Sequence, residues 1–184
     1  MKLFVISDTH GKINKVLEVY RRLTDIDMII HLGDVEQDVR RISEAIGREV
    51  VSVKGNNDGS YTHDDYKILE TEFGNIYLTH GHIQQVKFDL QKLYYRTQEL
   101  SCKAVLFGHT HIPVFTESEG VYFVNPGSLT LPSDGTAGSY AIVHTSKEEF
   151  TASIIYYNQS FQKPSSNKRT GGFLRNLLNK SDRL

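Results

Sequence analysis

Residues 1–10, MKLFVISDTH, join a short apolar run to a carboxylate and an imidazole. Leu3 to Ile6 form an uninterrupted apolar segment, which is the pattern of a buried strand. Asp8 and His10 follow this segment almost directly. A buried strand that ends in two ionisable side chains predicts a polar site at the edge of a sheet.

The first half of the chain alternates such strands with helices. Apolar residues recur at helical spacing between residues 13 and 23 and between residues 39 and 46, and Gly47 marks the end of the second helix. MIIHLGD (28–34) and VVSVKGN (50–56) predict the second and third strands. This alternation predicts an α/β fold with a parallel sheet and right-handed crossovers.

The second half is richer in strands, with one predicted helix at 88–100. Its first two strands predict a hairpin with its turn at Gly74–Asn75, and two later hairpins have polar turns. We therefore expect mostly antiparallel pairing in this half. The segments with strand character are 66–73, 76–82, 103–111, 114–128 and 139–157.

The composition is that of an ordinary globular protein, and 184 residues suffice for one domain with a sizeable core. The formal net charge of −1 disfavours nucleic acids and anionic membranes as general partners. Cys102 is the only cysteine, so no internal disulfide can form. No apolar stretch approaches the roughly 20 residues that span a bilayer, and the opening run is too short for a signal peptide. We expect a cytoplasmic protein without a transmembrane segment.

The composition changes near residue 160. We expect residues 1–160 to form the domain and residues 161–184 to form a basic amphipathic tail, in which FLRNLLNKSDRL follows a polar, glycine-rich linker. Five basic residues and one acidic residue fall between positions 164 and 184. The apolar face of the tail could contact the domain, a second copy, another partner or a membrane surface, and a frayed tail is the alternative.

The ends of five predicted strands carry oxygen or nitrogen ligands. In open α/β sheets ligands bind outside the carboxyl ends of the strands, so these groups should meet at one rim. Carboxylate, amide and imidazole ligands without a thiolate suit Mn²⁺, Fe, Zn²⁺ or Ni²⁺. In an extended segment the paired residues i and i+2 would face the same site. Seven ligands are too many for one ion and fit two ions that share a carboxylate: Asp8, His10, Asp34, Asn56, His80, His109 and His111.

The motifs Asp-x-His, Gly-Asp, Gly-Asn-x-Asp, His-Gly-His and Gly-His-x-His, in this order, resemble those of the calcineurin-like metallophosphoesterase superfamily, especially its small single-domain prokaryotic phosphodiesterase branch. The resemblance covers roughly residues 1–157 and includes NPGS (125–128), whose polar residues are expected to shape a loop. It implies a two-sheet αββα sandwich with a parallel N-terminal half and a mostly antiparallel C-terminal half. It places Asp8, His10 and His111 at a first metal, Asn56, His80 and His109 at a second, and Asp34 between them.

The resemblance implies a phosphodiesterase with two divalent ions, of which Mn²⁺ is expected and Fe, Zn²⁺ and Ni²⁺ are alternatives. Small phosphodiesters would be hydrolysed by in-line attack of a metal-bridging hydroxide. Asp58, as an orienting group, and His82, as a general acid, are the predicted catalytic residues. Many members of the superfamily have a histidine where this chain has Asn57, and an amide cannot deliver a proton. Diesters with good leaving groups should therefore be preferred.

Other interpretations are considered beside the enzyme. The small subunit of the retromer coat resembles this fold and serves mainly as a scaffold, so a non-catalytic interaction module is the alternative. Long nucleic acids are not expected as substrates, because the domain has no basic stripe or aromatic run. Asp8 and Asp34 could cap helices, Asn56 could form a turn, and His82 could have a supporting or solvent-exposed role. The five motifs together favour the metal site over these structural roles.

Overall fold

The fold is given by a computed structural model that describes residues 1–59 and 64–159. Within these residues the chain forms three helices and ten strands. The helices are α1 (Asn14–Tyr20), α2 (Glu36–Ile46) and α3 (Gln91–Glu99). The strands are β1 (Lys2–Ile6), β2 (Met28–His31), β3 (Val50–Ser52), β4 (Tyr66–Thr71), β5 (Gly74–Thr79), β6 (Ala104–Leu106), β7 (Pro113–Ser118), β8 (Val121–Pro126), β9 (Ser139–Thr145) and β10 (Phe150–Tyr156).

The first sheet contains five strands in the order β10-β9-β1-β2-β3. β1, β2 and β3 pair in parallel, with α1 and α2 as their crossovers. β9 adds to β1 in antiparallel orientation, and β10 pairs with β9 in the same way. The parallel N-terminal half predicted from the alternation of strands and helices is confirmed.

The second sheet has the order β4-β5-β6-β8-β7. Two antiparallel hairpins, β4–β5 and β7–β8, form its edges. Its centre is parallel, because β5 pairs with β6 and β6 pairs with β8. The C-terminal half is mostly antiparallel, as predicted, and this parallel centre is an addition that the strand patterns did not indicate.

Three apolar clusters separate four layers. Between the sheets, Leu3 and Ile30 of the first sheet belong to the same cluster as Leu106 of the second. The helices α1 and α2 cover the outer face of the first sheet, where buried Ile42 joins a second cluster. On the outer face of the second sheet, Leu93 of α3 joins a third. The predicted αββα sandwich is confirmed.

One predicted turn is wrong by two residues. The register of the first hairpin pairs Thr71 with Gly74, so Glu72 and Phe73 form the turn and Gly74–Asn75 begins β5. Phe73 packs its ring against Tyr122 and Phe150 at the end of the inter-sheet core, which explains why an apolar residue occupies a turn.

Residues 161–184, the predicted tail, lie outside the described part of the chain. Across residues 1–59 and 64–159, every helix is too short or too polar to cross a bilayer.

Candidate metal centre

The seven predicted ligands meet where the two sheets face each other. Four come from loops that follow β1, β2 and β3 of the first sheet: Asp8, His10, Asp34 and Asn56. The others follow β5 and β6 of the second sheet: His80, His109 and His111. The last residue of each of these strands is buried, and the loops that follow bring the polar ligands together at one rim.

Four of these residues form a tight first group: Asp8, His10, Asp34 and His111. One ligand atom from each lies within 4.8 Å of the others. The Nε2 atoms of His10 and His111 are 3.3 Å apart, and Nε2 of His111 is 3.3 Å from Oδ1 of Asp8. This spacing places four potential metal-ligand atoms around one small volume.

The second group consists of Asn56, His80 and His109. Nε2 of His80 is 3.1 Å from Oδ1 of Asn56, and the rings of His80 and His109 have centroids 5.0 Å apart. Asp34 adjoins both groups: its Oδ2 is 3.6 Å from Nε2 of His10, and its Oδ1 is 3.5 Å from Nε2 of His80. The two carboxylate oxygens of Asp34 therefore face different histidines.

Backbone carbonyls fix the proton positions of two imidazoles. Nδ1 of His80 donates to the carbonyl of Leu32 at 2.7 Å, and Nδ1 of His111 donates to the carbonyl of Leu131 at 2.7 Å. A carbonyl can only accept, so in the neutral rings the proton is on Nδ1 and the lone pair is on Nε2. Both lone pairs face the cluster, which is the arrangement that metal-binding histidines use.

Asp8 provides the test of whether a cation fits. Its Oδ2 accepts a hydrogen bond from the backbone N–H of His109 at 3.0 Å, but its Oδ1 is buried without a hydrogen-bond partner among the described residues. Burial alone would raise the pKa of Asp8, yet interactions led by His111 keep that pKa lowered, so the group is a carboxylate. A buried anionic oxygen without a hydrogen-bond partner, beside imidazole lone pairs, fits a divalent cation.

The ligands lie on strained backbone. Among the described residues ten non-glycine residues have a positive φ, and five of them are predicted ligands: Asp8 (56°), His10 (45°), Asp34 (64°), His109 (67°) and His111 (58°). The expectation that the paired ligands i and i+2 lie in extended segments is therefore wrong, because the chain turns sharply at these positions. Such conformations cost about 1–3 kcal/mol each and concentrate at functional sites.

Two glycines allow close packing behind the ligands. A Cβ on Gly55 would overlap the carboxylate of Asp34, and a Cβ on Gly108 would overlap the hydroxyl of Ser7 and lie 2.8 Å from Oδ2 of Asp8. Both loops approach the two carboxylates so closely that no side chain fits.

The structure places the two residues after Asn56 close to Asp34. The backbone N–H of Asn57 donates to Oδ1 of Asp34 at 3.0 Å, and its side-chain amide donates to Oδ2 at 2.8 Å. Asp58 accepts from the backbone N–H groups of Gly55 (2.7 Å) and Glu36 (2.6 Å) and, at 3.1 Å, of Asp34. Burial alone would raise the pKa of Asp58, but these donors outweigh it and lower the pKa.

His82 lies beside the second group. Its ring centroid is 5.4 Å from that of His80 and 6.1 Å from that of His109. Burial and then the neighbouring His80 lower the pKa of His82. Its Nδ1 is buried without a hydrogen-bond partner among the described residues, so this nitrogen is available for other contacts.

Sequence reasoning missed Asp38 of α2, which is 1 % exposed. Its Oδ2 accepts from the hydroxyl of Thr9 at 2.7 Å and from the backbone N–H of Gly11 at 2.6 Å, and its Oδ1 accepts from Arg41 at 3.1 Å. The buried His31 contacts the same Thr9 hydroxyl at 3.0 Å. The sequence signal that could have identified Asp38 as a buried hydrogen-bond acceptor is its place next to Val39, on the apolar side of the helix.

The NPGS segment shapes the loops, as expected. The side-chain amide of Asn125 donates to the carbonyl of Gly108 at 2.8 Å, and the hydroxyl of Ser128 donates to the carbonyl of Asp8 at 2.9 Å. One short segment therefore connects the loops that carry ligands from both sheets.

Sequence comparison identifies relatives along nearly the whole domain. A family model described as the calcineurin-like phosphoesterase superfamily domain matches residues 1–148. The probable metallophosphoesterase YsnB of Bacillus subtilis is 34 % identical over 161 residues, which cover 87 % of this chain and 92 % of the relative. Phosphodiesterase MJ0936 of Methanocaldococcus jannaschii is 28 % identical over 178 residues, 84 % of this chain and 99 % of the relative.

Solved structures have the same architecture. A predicted phosphoesterase from Streptococcus pneumoniae has a TM-score of 0.73 and 30 % identity over 85 % of this chain and 90 % of its own. A single mutant of Vps29 from Entamoeba histolytica has a TM-score of 0.71 and 27 % identity over 84 % of this chain and 91 % of its own. The predicted family and the class of metal-dependent phosphoesterase are confirmed: the chain belongs to the calcineurin-like phosphoesterase superfamily.

Proposed function

We propose that this phosphoesterase binds two divalent cations and hydrolyses small phosphodiesters. Asp8, His10 and His111 would hold the first ion, and Asn56, His80 and His109 would hold the second. Asp34 would bridge them. The mixture of oxygen and nitrogen donors supports Mn²⁺ as the preferred ion, with Fe, Zn²⁺ and Ni²⁺ as alternatives.

The observation that carries this proposal is the position of Asp34. Its two oxygens lie 3.6 Å from Nε2 of His10 and 3.5 Å from Nε2 of His80, and only 2 % of the residue is exposed. A carboxylate that faces one histidine with each oxygen is the geometry that two neighbouring cations require. The two hydrogen bonds from Asn57 support the same orientation.

The reaction adds water to a phosphodiester. The water oxygen bonds to phosphorus, one P–O ester bond breaks, and the products are a phosphomonoester and an alcohol. Two bound divalent cations would acidify the attacking water and neutralise charge on the phosphoryl oxygens. Asp8 and Asp34 supply negative charge, which keeps both cation sites within one rim.

The protein's own groups must also assist the leaving alcohol. Asn57 cannot protonate it, because its amide has no acidic proton at neutral pH and donates to Asp34. His82 is the proposed proton donor, supported by its ring next to the second group and by its Nδ1, which has no hydrogen-bond partner among the described residues. Because the pKa of His82 is lowered, a smaller fraction of this imidazole is protonated at neutral pH, so good leaving groups should be favoured.

The test combines metal counting with hydrolysis. Metal-free protein is titrated with Mn²⁺ by calorimetry, and hydrolysis of bis(p-nitrophenyl) phosphate is compared with that of an alkyl phosphomonoester. We expect two ions per chain and faster hydrolysis of the activated diester. Asp34→Ala should lose both the two-ion stoichiometry and the hydrolytic activity. One ion per chain, equal rates on the two substrates, or full activity in Asp34→Ala would contradict the proposal.

The Vps29 neighbour leaves a non-catalytic interaction module as the second candidate function. Metal binding without hydrolysis of any phosphoester in this test would favour that alternative. The expected cytoplasmic location and the contact of residues 161–184 with a partner or a second copy stay predictions.

A further inference from the structure

An apolar groove opens beside the second group of ligands. It has a volume of about 480 Å³ and lies between the segment that precedes α3 and the segment that contains His109 and His111. Apolar side chains supply most of its lining, and two residues can offer polar atoms. The lining residues are Val86, Lys87, Leu90, Phe107, Thr110, Ile112 and Val114.

The groove is lined by residues of the loops that carry the proposed metal ligands. Thr110 lies between two predicted ligands in the chain, and Phe107 comes two residues before His109. On the opposite wall, the backbone N–H of Val86 donates to the carbonyl of Gly81, which separates His80 from His82. The groove therefore lies between the two loops that carry His80 and His109.

The polar capacity of the groove is already used, apart from Lys87. The hydroxyl of Thr110 donates to the carbonyl of Ile112 at 3.2 Å and accepts from the amide of Asn125 at 3.0 Å. A sugar or polyol placed here would lose hydrogen bonds to water without gaining replacements. An apolar substituent would gain from leaving water.

Exposed apolar side chains also occur in the loops beside the ligands. Among the described residues eight large apolar side chains are exposed, and four of them belong to these loops: Ile83 (53 %), Phe88 (88 %), Ile112 (44 %) and Leu131 (39 %). Ile112 is one of the residues that line the groove, so the groove contributes to this exposed apolar surface.

Lys87 adds a positive charge at the border of the groove. Lys87 lines the groove next to Val86, whose backbone N–H donates to the carbonyl of Gly81 between His80 and His82. A phosphodiester carries one negative charge, and Lys87 would attract it toward the rim.

We infer, building on the proposed function, that the groove binds a bulky apolar ester group of the phosphodiester substrate, such as an aromatic ring. The five apolar residues that line the groove select this substituent, while the metal centre and Lys87 hold the phosphoryl group. Diesters of glycerol or of unsubstituted sugars are correspondingly poor substrates.

Calorimetric titration of the Mn²⁺-loaded protein with two phosphonates tests this inference. 1-Naphthylphosphonate and methylphosphonate have the same charged head and differ in the apolar substituent. We expect the naphthyl compound to bind at least tenfold more tightly. Ile112→Ser should reduce this preference severalfold, whereas Ile68→Ser, at a similarly exposed isoleucine on β4, should leave it unchanged. Thermal melts verify that both variants are folded.

The outcomes separate the two proposals. Equal affinity for the two phosphonates, or a naphthyl preference that survives Ile112→Ser, would overturn the groove assignment while hydrolysis of bis(p-nitrophenyl) phosphate still supported the phosphodiesterase. A naphthyl preference that Ile112→Ser removes, in a protein that hydrolyses no diester, would support the groove and overturn the proposed function.

Discussion

Asn57 holds Asp34 through two hydrogen bonds, one from its backbone N–H to Oδ1 and one from its side-chain amide to Oδ2. Both oxygens of the proposed bridging carboxylate are thereby oriented by one residue. Asn57→Ala keeps the backbone bond and removes the other, so we expect a 10- to 100-fold loss of Mn²⁺ affinity. Calorimetric titration of metal-free protein measures the change. Asn158→Ala, at an exposed position after β10, is the control, and unchanged affinity in Asn57→Ala would contradict this role.

Asp38 anchors the loop between Asp8 and α1. Asp38→Ala would leave the Thr9 hydroxyl and the Gly11 N–H without their acceptor, and this should lower the free energy of unfolding by about 2–4 kcal/mol. Urea unfolding of metal-free protein checks the prediction. Arg41→Met removes the half-exposed partner of the same carboxylate and should cost less than about 1 kcal/mol. A similar loss in the two variants would show that the ion pair, and not the loop anchor, is the stabilising contact.

His31 makes stability depend on pH. Burial lowers the pKa of His31 to about 4, while nearby carboxylates, first Asp8, oppose the shift. Between pH 6.5 and 4 the unfolded chain binds a proton that the folded chain excludes, so the free energy of unfolding falls as the pH falls, by about 1.4 kcal/mol per pH unit. Urea unfolding of metal-free His31→Gln across this window should show a slope smaller by that amount. The same change at exposed His144 is the control, and identical slopes in wild type and His31→Gln would refute the prediction.

Gly108 has no room for a side chain. The methyl group of Gly108→Ala would overlap Ser7 and press on Oδ2 of Asp8, so we expect a loss of about 1–3 kcal/mol in stability and at least tenfold weaker Mn²⁺ binding. Thermal melts and calorimetry measure the two effects. Gly59→Ala, where a Cβ would meet no atom of the described residues within 4 Å, should change neither. Wild-type Mn²⁺ affinity in Gly108→Ala would show that Asp8 tolerates displacement.

Local patterns were sufficient for the layers and for the position of the site. Short apolar runs bounded by polar residues located the strands, and the rule that ligands gather at strand ends placed Asp8, Asp34 and His80 together. The parallel pairing of β5 with β6 and of β6 with β8 could not be predicted in this way, because register between distant segments depends on tertiary packing.

The contacts behind the site were also beyond sequence reasoning. The sequence showed only that Asn57 cannot deliver a proton, whereas its bond to Asp34 depends on the turn after β3. Asp8 and His10 have positive φ values, and their neighbours Thr9 and Gly11 donate hydrogen bonds to Asp38 of the distant helix α2. Strained conformations of this kind contradict local propensity, so they appear only when the whole fold is known.

The division of the ligands between the sheets has a structural consequence. Asp8 and Asp34 extend from one sheet, and His80 and His111 extend from the other, while apolar packing joins the layers beneath them. A cation held by both sets would cross-link the two sheets of the sandwich, as a disulfide bond does in other proteins. This chain has one cysteine, Cys102, and so cannot form an internal disulfide. Chelation would therefore loosen the sandwich at its rim first, and amide exchange would report that opening before any loss of secondary structure.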